Sequence, residues 1–321
     1  MDDSIEVPLA KLWPGANRSL MRGRVFLGPR KDCGYNACMW LTILLPTVFF
    51  CTIPAPVIWR EVSPAIVLVI AGLVLISISL LIRTTLGDPG YIPRKEIQIL
   101  LGIQDNVRGL FGIPSPDLGV VEKVYLNEEG KLVISEELDD RILLTAELEG
   151  QGYKYCTTCR IIRPPRASHC SDCNNCCLRH DHHCPFVNNC VGHRNYIFFT
   201  LFMTSTVLLG LMVLLSIILW VSAGYGSVFS PLTIRIIAFV IGIPVGLVIL
   251  AGLGLLLYHT HLSCTGQTTR ENLRGRPRTA SVEPSRADPR ILSSSIFSRP
   301  PRLYPPLSTR VRVPIKRSVP V

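Results

Sequence analysis

Apolar stretches without charge divide this chain. Residues 33–59 carry no charged side chain, and "MWLTILLPTVFFCTIPAPVIW" within them is long enough to span a bilayer. Pro46, Pro54 and Pro56 predict kinks there, which membranes tolerate where neighbouring helices satisfy the freed backbone groups. Arg60 and Glu61 make a very short loop, and residues 62–82 form a second uncharged run that stops before Arg83. Charge is again absent from Asn195 to Ile234. "YIFFTLFMTSTVLLGLMVLLSIILW" predicts a third helix over 195–222, and "SAGYGSVFSPLT" a loop by its Gly, Ser and Pro. "IIAFVIGIPVGLVILAGLGLLLY" then predicts a fourth helix over 235–258. Four runs this long and this free of charge argue against the buried core helices of a large soluble protein.

The remaining segments are polar: 1–32, 83–194 and 259–321. With 48% hydrophobic and 17% charged residues, the composition is that of a multi-span membrane protein. The net charge is +10, and it changes the picture by where it lies. Lys11, Arg18, Arg22, Arg24, Arg30 and Lys31 precede the first span, and the middle segment and tail are also Arg-rich. The loop between spans one and two has one Arg, and that between three and four only Arg235. The bias predicts that both termini and 83–194 are cytosolic. No run mixes Lys or Arg with aromatics like a nucleic-acid groove, so anionic membrane lipid, not nucleic acid, is the expected partner of this charge.

Within the linker 83–154, residues 117–149 hold ten Asp/Glu against three Lys/Arg. "KVYLNEEGKLVIS" alternates around Gly130 and predicts a β-hairpin. The insert reads either as a solvated insertion or as a docking element for a partner. Beyond Arg274 the tail is rich in Pro, Ser and Arg without apolar periodicity, and most of 259–321 reads as disordered.

Twelve cysteines are present, eight of them between Cys156 and Cys190. CxxC spacings with interleaved histidines favour metal over disulfides, and hence a reducing cytosolic face. Cys156 and Cys159 form one CxxC; Cys170, Cys173 and Cys176 form a CxxCxxC. Two tetrahedral zinc sites need eight ligands, whereas the segment offers eight cysteines plus His169, His180, His182, His183 and His193. A surplus thiol is prone to oxidation, so at least one Cys–His pair is expected to be functional. Asp181, His182 and Cys184 supply an acid, a base and a nucleophile within four residues. Residues two apart are expected to face one another only in a tight turn.

From Cys156 to Phe198 the segment resembles, residue by residue, the cysteine-rich domain of the DHHC family of protein S-acyltransferases (palmitoyltransferases), with the signature at Asp181-His182-His183-Cys184. Asp88-Pro89-Gly90 after span two matches the family's DPG motif. Thr268-Thr269-Arg270-Glu271 after span four matches its TTxE. The resemblance implies an α-helical polytopic membrane protein of four transmembrane helices, with a cytosolic zinc domain of short β-hairpins, residues 155–194, between helices two and three. It implies one structural Zn2+ on Cys156, Cys159, His169 and Cys176, and a second on Cys170, Cys173, His183 and Cys190. Cys184 is then the acylated nucleophile, His182 its base and Asp181 the orienter, with Cys177 a spare. Phe186 stands where most members have tryptophan, and is expected to keep an aromatic wall near the thioester.

The reaction so implied is acyl transfer from palmitoyl-CoA or another long-chain acyl-CoA to membrane-proximal cysteines of proteins. Arg163 and Arg166 are the expected contacts of the CoA phosphates, because guanidinium matches phosphate geometry. "RPPRASHC" and "QTTRE" resemble the Ras-type subgroup, which implies Ras-like GTPases as substrates, a small accessory subunit, and residence in the endoplasmic reticulum or Golgi. The rival reading is a catalytically inactive member that serves as a zinc-stabilised membrane scaffold.

Overall fold

Among the described residues four helices are long and apolar enough to cross a membrane, and they carry the zinc-type domain on one end. A computed structural model describes residues 4–315 except 22–24, 116–121, 136–137, 223–229, 231, 233–238, 240–241, 276–286, 293–294 and 296–298. The expected loop 223–234 and start of span four thus lie mostly outside the described residues.

The spans differ from the hydropathy pattern at their ends. The first helix runs Cys33–Thr52 and keeps Pro46 in its interior, breaks at Ile53, and restarts as Pro54–Glu61, whose first turn accepts Pro54 because that N–H has no intrahelical partner. The second is Pro64–Leu86, capped by Ser63, whose hydroxyl accepts from Ala65 N, and it continues past Arg83. The third is Tyr196–Ser222. The fourth, Ile243–Thr265, extends seven residues beyond the expected end at Tyr258, through the buried His259 and Leu262, to a left-handed Gly266. A helix rule based on apolarity alone stops too early where polar side chains face protein.

Spans two and three pack along each other, and their buried Ser77 and Ser205 hydroxyls bond at 3.0 Å. Span four packs on span three through small residues, Gly210 against Ile249 and Gly252 against Val207. Leu45, Leu68, Leu75, Leu250 and Leu257 point outward and form an apolar surface suited to lipid.

The cysteine-rich domain is made of short hairpins, one of them widened to three strands by Tyr91–Ile92. Lys154–Cys156 pairs with Ile161–Arg163; Asn175–Cys177 pairs with both Ser168–Cys170 and Tyr91–Ile92; His182–Cys184 pairs with Asn189–Val191. Each CxxC turn is followed by a left-handed residue, Arg160 (φ 54°) and Asn174 (φ 52°), which reverses the chain into the return strand.

The DPG motif fixes this domain to span two. Asp88 Oδ1 accepts from Gly90 N (2.8 Å) and Tyr91 N (3.1 Å), while Oδ2 faces Arg194 Nε at 3.1 Å. Gly90 sits at φ 105°, where a Cβ would also press on Leu178 at 3.3 Å. Asn189 Nδ2 reaches the carbonyls of Thr84, Thr85 and Gly87, the unpaired groups at the end of span two.

The insert forms the expected hairpin, while the described residues of the tail pack on the domain instead of staying disordered. The alternating segment is a hairpin, Lys123–Leu126 with Leu132–Ser135, turned at Gly130 (φ 73°). Its Val124 and Ile134 are buried, and acids of the insert close a buried ion cluster: Lys95 lies 2.9 Å from both Glu122 and Asp140, and Arg108 is 3.0 Å from Asp140. The tail returns to the domain as well. Leu303, Tyr304, Leu307 and Val313 are buried, Tyr304 packs on Trp13 at 4.8 Å, and Arg310–Pro314 pairs antiparallel with Ser4–Pro8. Leu303, Tyr304 and Leu307 are isolated apolar residues without helical or strand period, so the composition of the tail conceals their burial; only the alternation of Arg310–Pro314 carries a strand signal.

Candidate active site and metal centres

Strand alternation sorts the ligands. Successive side chains on a strand point to opposite faces. His169 and Cys170 are neighbours on one strand and therefore serve different clusters. Register then pairs ligands across strands: Cys176 stands opposite His169, and Cys190 opposite His183. Cys156, Cys159, His169 and Cys176 form one group and Cys170, Cys173, His183 and Cys190 the other. In the first, His169 Nδ1 lies 3.7, 3.4 and 3.8 Å from the sulfurs of Cys156, Cys159 and Cys176. In the second, His183 Nδ1 lies 3.4 Å from Cys173 and 3.7 Å from Cys190, whose sulfurs are 3.4 Å apart. A tetrahedron with Zn–S of about 2.3 Å and Zn–N of about 2.0 Å has edges of roughly 3.5–3.8 Å, so both donor sets fit Zn2+. All four corners come from protein, which suits a structural ion and leaves no corner for water.

Asp32, just before span one, was not legible as a site residue. Its Oδ2 is 2.9 Å from His183 Nε2, the carboxylate–histidine arrangement that fixes the ring of a metal ligand. Lys31 beside it pairs with Asp172. Only a fold that brings residue 32 to residue 183 exposes the link. Asp32→Ala is expected to lower zinc affinity roughly 10–100-fold at the second cluster alone, read by chelator competition.

The strand His182–Cys184 also resolves how two residues so close in sequence can meet. No tight turn is needed: His182 and Cys184 are two apart on a strand and share one face, while His183 takes the other toward its cluster. His182 Nδ1 lies 2.7 Å from Asp181 Oδ2. Cys184 is half-buried and stands on the same strand face as His182. Burial by itself would raise the Cys184 thiol; the imidazole and charge of His182, with the N–H groups of Val187 and Phe186, outweigh it and leave the thiol below its usual range. Burial would likewise lower His182, but Asp181 and then Cys184 raise it to about 9. Asp181 also resists burial: His182 and Thr269 hold it below the usual carboxylate range. The shifts favour a thiolate facing an imidazolium.

The TTxE segment supports Asp181 from behind. Thr269 donates from N (2.9 Å) and from its hydroxyl (2.7 Å) to the two Asp181 oxygens. Thr268 caps the short helix Thr269–Leu273 in a reciprocal box with Glu271. Glu271 in turn holds Arg166 bidentately at 2.7 and 2.8 Å. That pair corrects the expectation for Arg166: its guanidinium is committed to Glu271 and the Gly266 carbonyl, not held out for a phosphate. Arg163 is half-buried on its strand, with Nε unbonded among the described residues. Glu271→Gln should slow any chemistry at Cys184 by about tenfold, a loss of roughly 1.4 kcal/mol, with both zinc ions retained.

Phe186 follows Pro185 in a one-turn helix, Pro185–Val187, and is 44% exposed. Its ring meets Tyr35 of span one edge-on at 5.9 Å, and its carbonyl accepts from Asn36 at 2.7 Å. Cys177 is fully buried, its thiol pushed well up by burial and directed at the Pro89 and Leu178 carbonyls, outside both clusters.

Four apolar helices, two Cys3His centres and a Cys–His–Asp line define a membrane protein with an activated thiol at the ends of its spans. Residues 149–276 match the family model for the DHHC palmitoyltransferase. The chain is 33% identical over 284 residues to palmitoyltransferase ZDHHC18 of Mus musculus, covering 85% of this chain and 68% of that protein. It is 32% identical over 269 residues to palmitoyltransferase ZDHHC9 of Homo sapiens (82% and 67%), and 32% over 277 residues to "Probable protein S-acyltransferase 2" of Arabidopsis thaliana (83% and 62%). It thus spans between three fifths and seven tenths of the length of these relatives. The chain belongs to the DHHC palmitoyltransferase family.

Proposed function

We propose that this chain is a membrane-bound protein S-acyltransferase that moves a long-chain acyl group from acyl-CoA, palmitoyl-CoA above all, to protein cysteines by way of an S-acyl intermediate on Cys184. The observation that carries this reading is the alignment of Asp181, His182 and Cys184, with the thiol lowered and the imidazole raised. The Cys184 thiolate attacks the thioester carbonyl, the carbon–sulfur bond to CoA breaks, and His182 returns a proton to the departing thiolate. His182 then takes the proton of an incoming substrate thiol, whose sulfur displaces Cys184 and frees it for another cycle. Asp181 keeps the ring oriented through both halves. The two zinc ions hold the strands that carry these residues and take no part in either transfer.

The acyl tail enters among the spans, where each buried CH₂ contributes about 0.8 kcal/mol. Phe186 and Tyr35 flank the thioester, and Arg163 remains the phosphate contact. The basic flanks support cytosolic termini and a cytosolic zinc domain. Substrates are then proteins with cysteines near the membrane, Ras-like GTPases among them. We place the enzyme in the endoplasmic reticulum or Golgi, with a small accessory subunit docking on the cytosolic side.

The test is incubation of the purified chain with a clickable long-chain acyl-CoA, followed by site mapping. A hydroxylamine-labile label on Cys184, passed on to a cysteine peptide, is the expected result. Intact protein that never acquires the label is the scaffold outcome.

A further inference from the structure

We propose that His259, held by Tyr196, is a positioning residue for the imidazole of His182. The inference rests on the role given to His182 above. His259 lies in span four, where the helix continues beyond its apolar run, and is only 2% exposed. A buried ionisable side chain in a span is costly and needs partners. Its Nδ1 lies 3.1 Å from the hydroxyl of Tyr196, the first residue of span three.

The rings form a bracket. His182 stands edge-on to Phe199 at 5.3 Å and tilted against His259 at 5.7 Å; Phe199 and His259 meet edge-on at 5.1 Å. One polar atom each of Asp181, His182 and His259 lies within 4.8 Å of the others. The Asp181 bond fixes one nitrogen of the His182 ring but leaves the ring free to swing about it, which carries the other nitrogen toward or away from Cys184. Phe199 and His259 pack against each other on one side of the His182 ring and block the swing in that direction, and the Tyr196 bond keeps His259 in place. Spans three and four thereby set the reach of the imidazole. A third metal on Asp181, His182 and His259 is the competing use of the same atoms. The Asp181 carboxylate already accepts two bonds from Thr269 and pairs with His182, which leaves it poorly placed for an ion.

The test uses the full chain, purified, as His259→Ala and Tyr196→Phe. Three quantities are read: the limiting single-turnover rate of Cys184 acylation from palmitoyl-CoA with its half-saturating concentration, the rate of Cys184 alkylation by iodoacetamide, and zinc per chain. His259→Ala should slow acylation and alkylation together, by about tenfold and at most the roughly 10²-fold of a misplaced catalytic group. Half-saturation and two zinc ions should be unchanged, and added imidazole should restore part of the rate. Tyr196→Phe keeps the ring, serves where the alanine variant misfolds, and should fall in the same direction by less. Wild-type rates in both variants would overturn the proposal, as would a loss that appears only with lost zinc. A third zinc that disappears in His259→Ala would make His259 a ligand instead. Should wild-type protein form no acyl-enzyme, the acyltransferase reading fails, while the alkylation rates still decide the positioning.

Discussion

Cys184→Ala is expected to yield a folded chain with two zinc ions that forms no acyl-enzyme and acylates no substrate. In the proposed mechanism the sulfur of Cys184 is the attacking atom, and alanine has none to offer. Cys177→Ala provides the contrast. That thiol is buried in the domain core with its proton retained, so the variant should keep both activities. His182→Ala should fall between them, slower by the roughly 10²–10⁴-fold typical of a lost acid–base group. Gel readout of the label with and without hydroxylamine, alongside elemental analysis, separates the three. A label that persists in Cys184→Ala and maps to Cys177 or Cys264 would refute the assignment.

Removing a zinc ligand should have an equally large effect by another route. Cys190→Ser is expected to reduce zinc to one ion per chain or fewer and to abolish acylation, although residue 190 touches no reacting atom. Among the described residues its strand is the only partner of His182–Cys184 in the sheet, and His183 lies between Cys173 and Cys190. Structural zinc contributes about 10–16 kcal/mol of binding free energy in small domains, comparable to the whole stability of a domain, so its loss releases the strand. Zinc content, thermal melting in detergent and Cys184 labelling should all fall together. Normal labelling at one zinc per chain would show that the second centre does not hold the nucleophile.

Much of this site was legible because its chemistry is local. CxxC pairs announce the metal, and the Asp181-His182-His183-Cys184 run marks the reactive group. What stayed hidden depends on distance along the chain. Asp32 meets His183, Thr269 meets Asp181, and Glu271 meets Arg166 only once the spans are packed. Arg166 looked like a phosphate ligand because an arginine beside a reactive centre shows its charge in sequence, but not its partner. His259 is hidden in the sequence because the uninterrupted apolar run ends at Tyr258, although the helix does not. The tail was misjudged for a related reason: Tyr304 and Leu307 are buried one at a time, which no periodicity detects.

The pairing of Ser4–Pro8 with Arg310–Pro314 has a consequence for the order of assembly during synthesis. The early strand emerges first, yet its partner leaves the ribosome only after all four spans have been inserted. Through that interval its backbone edge is unpaired, and Leu9 lacks the neighbours that the returning segment brings, including the Thr309 carbonyl that accepts from its N–H. The face that carries the metal centres therefore closes last, and over the longest sequence separation of any strand pair among the described residues. A chain cut short before residue 310 keeps its spans, both metal centres and its reactive cysteine, but leaves an open strand edge for chaperones and proteases to find.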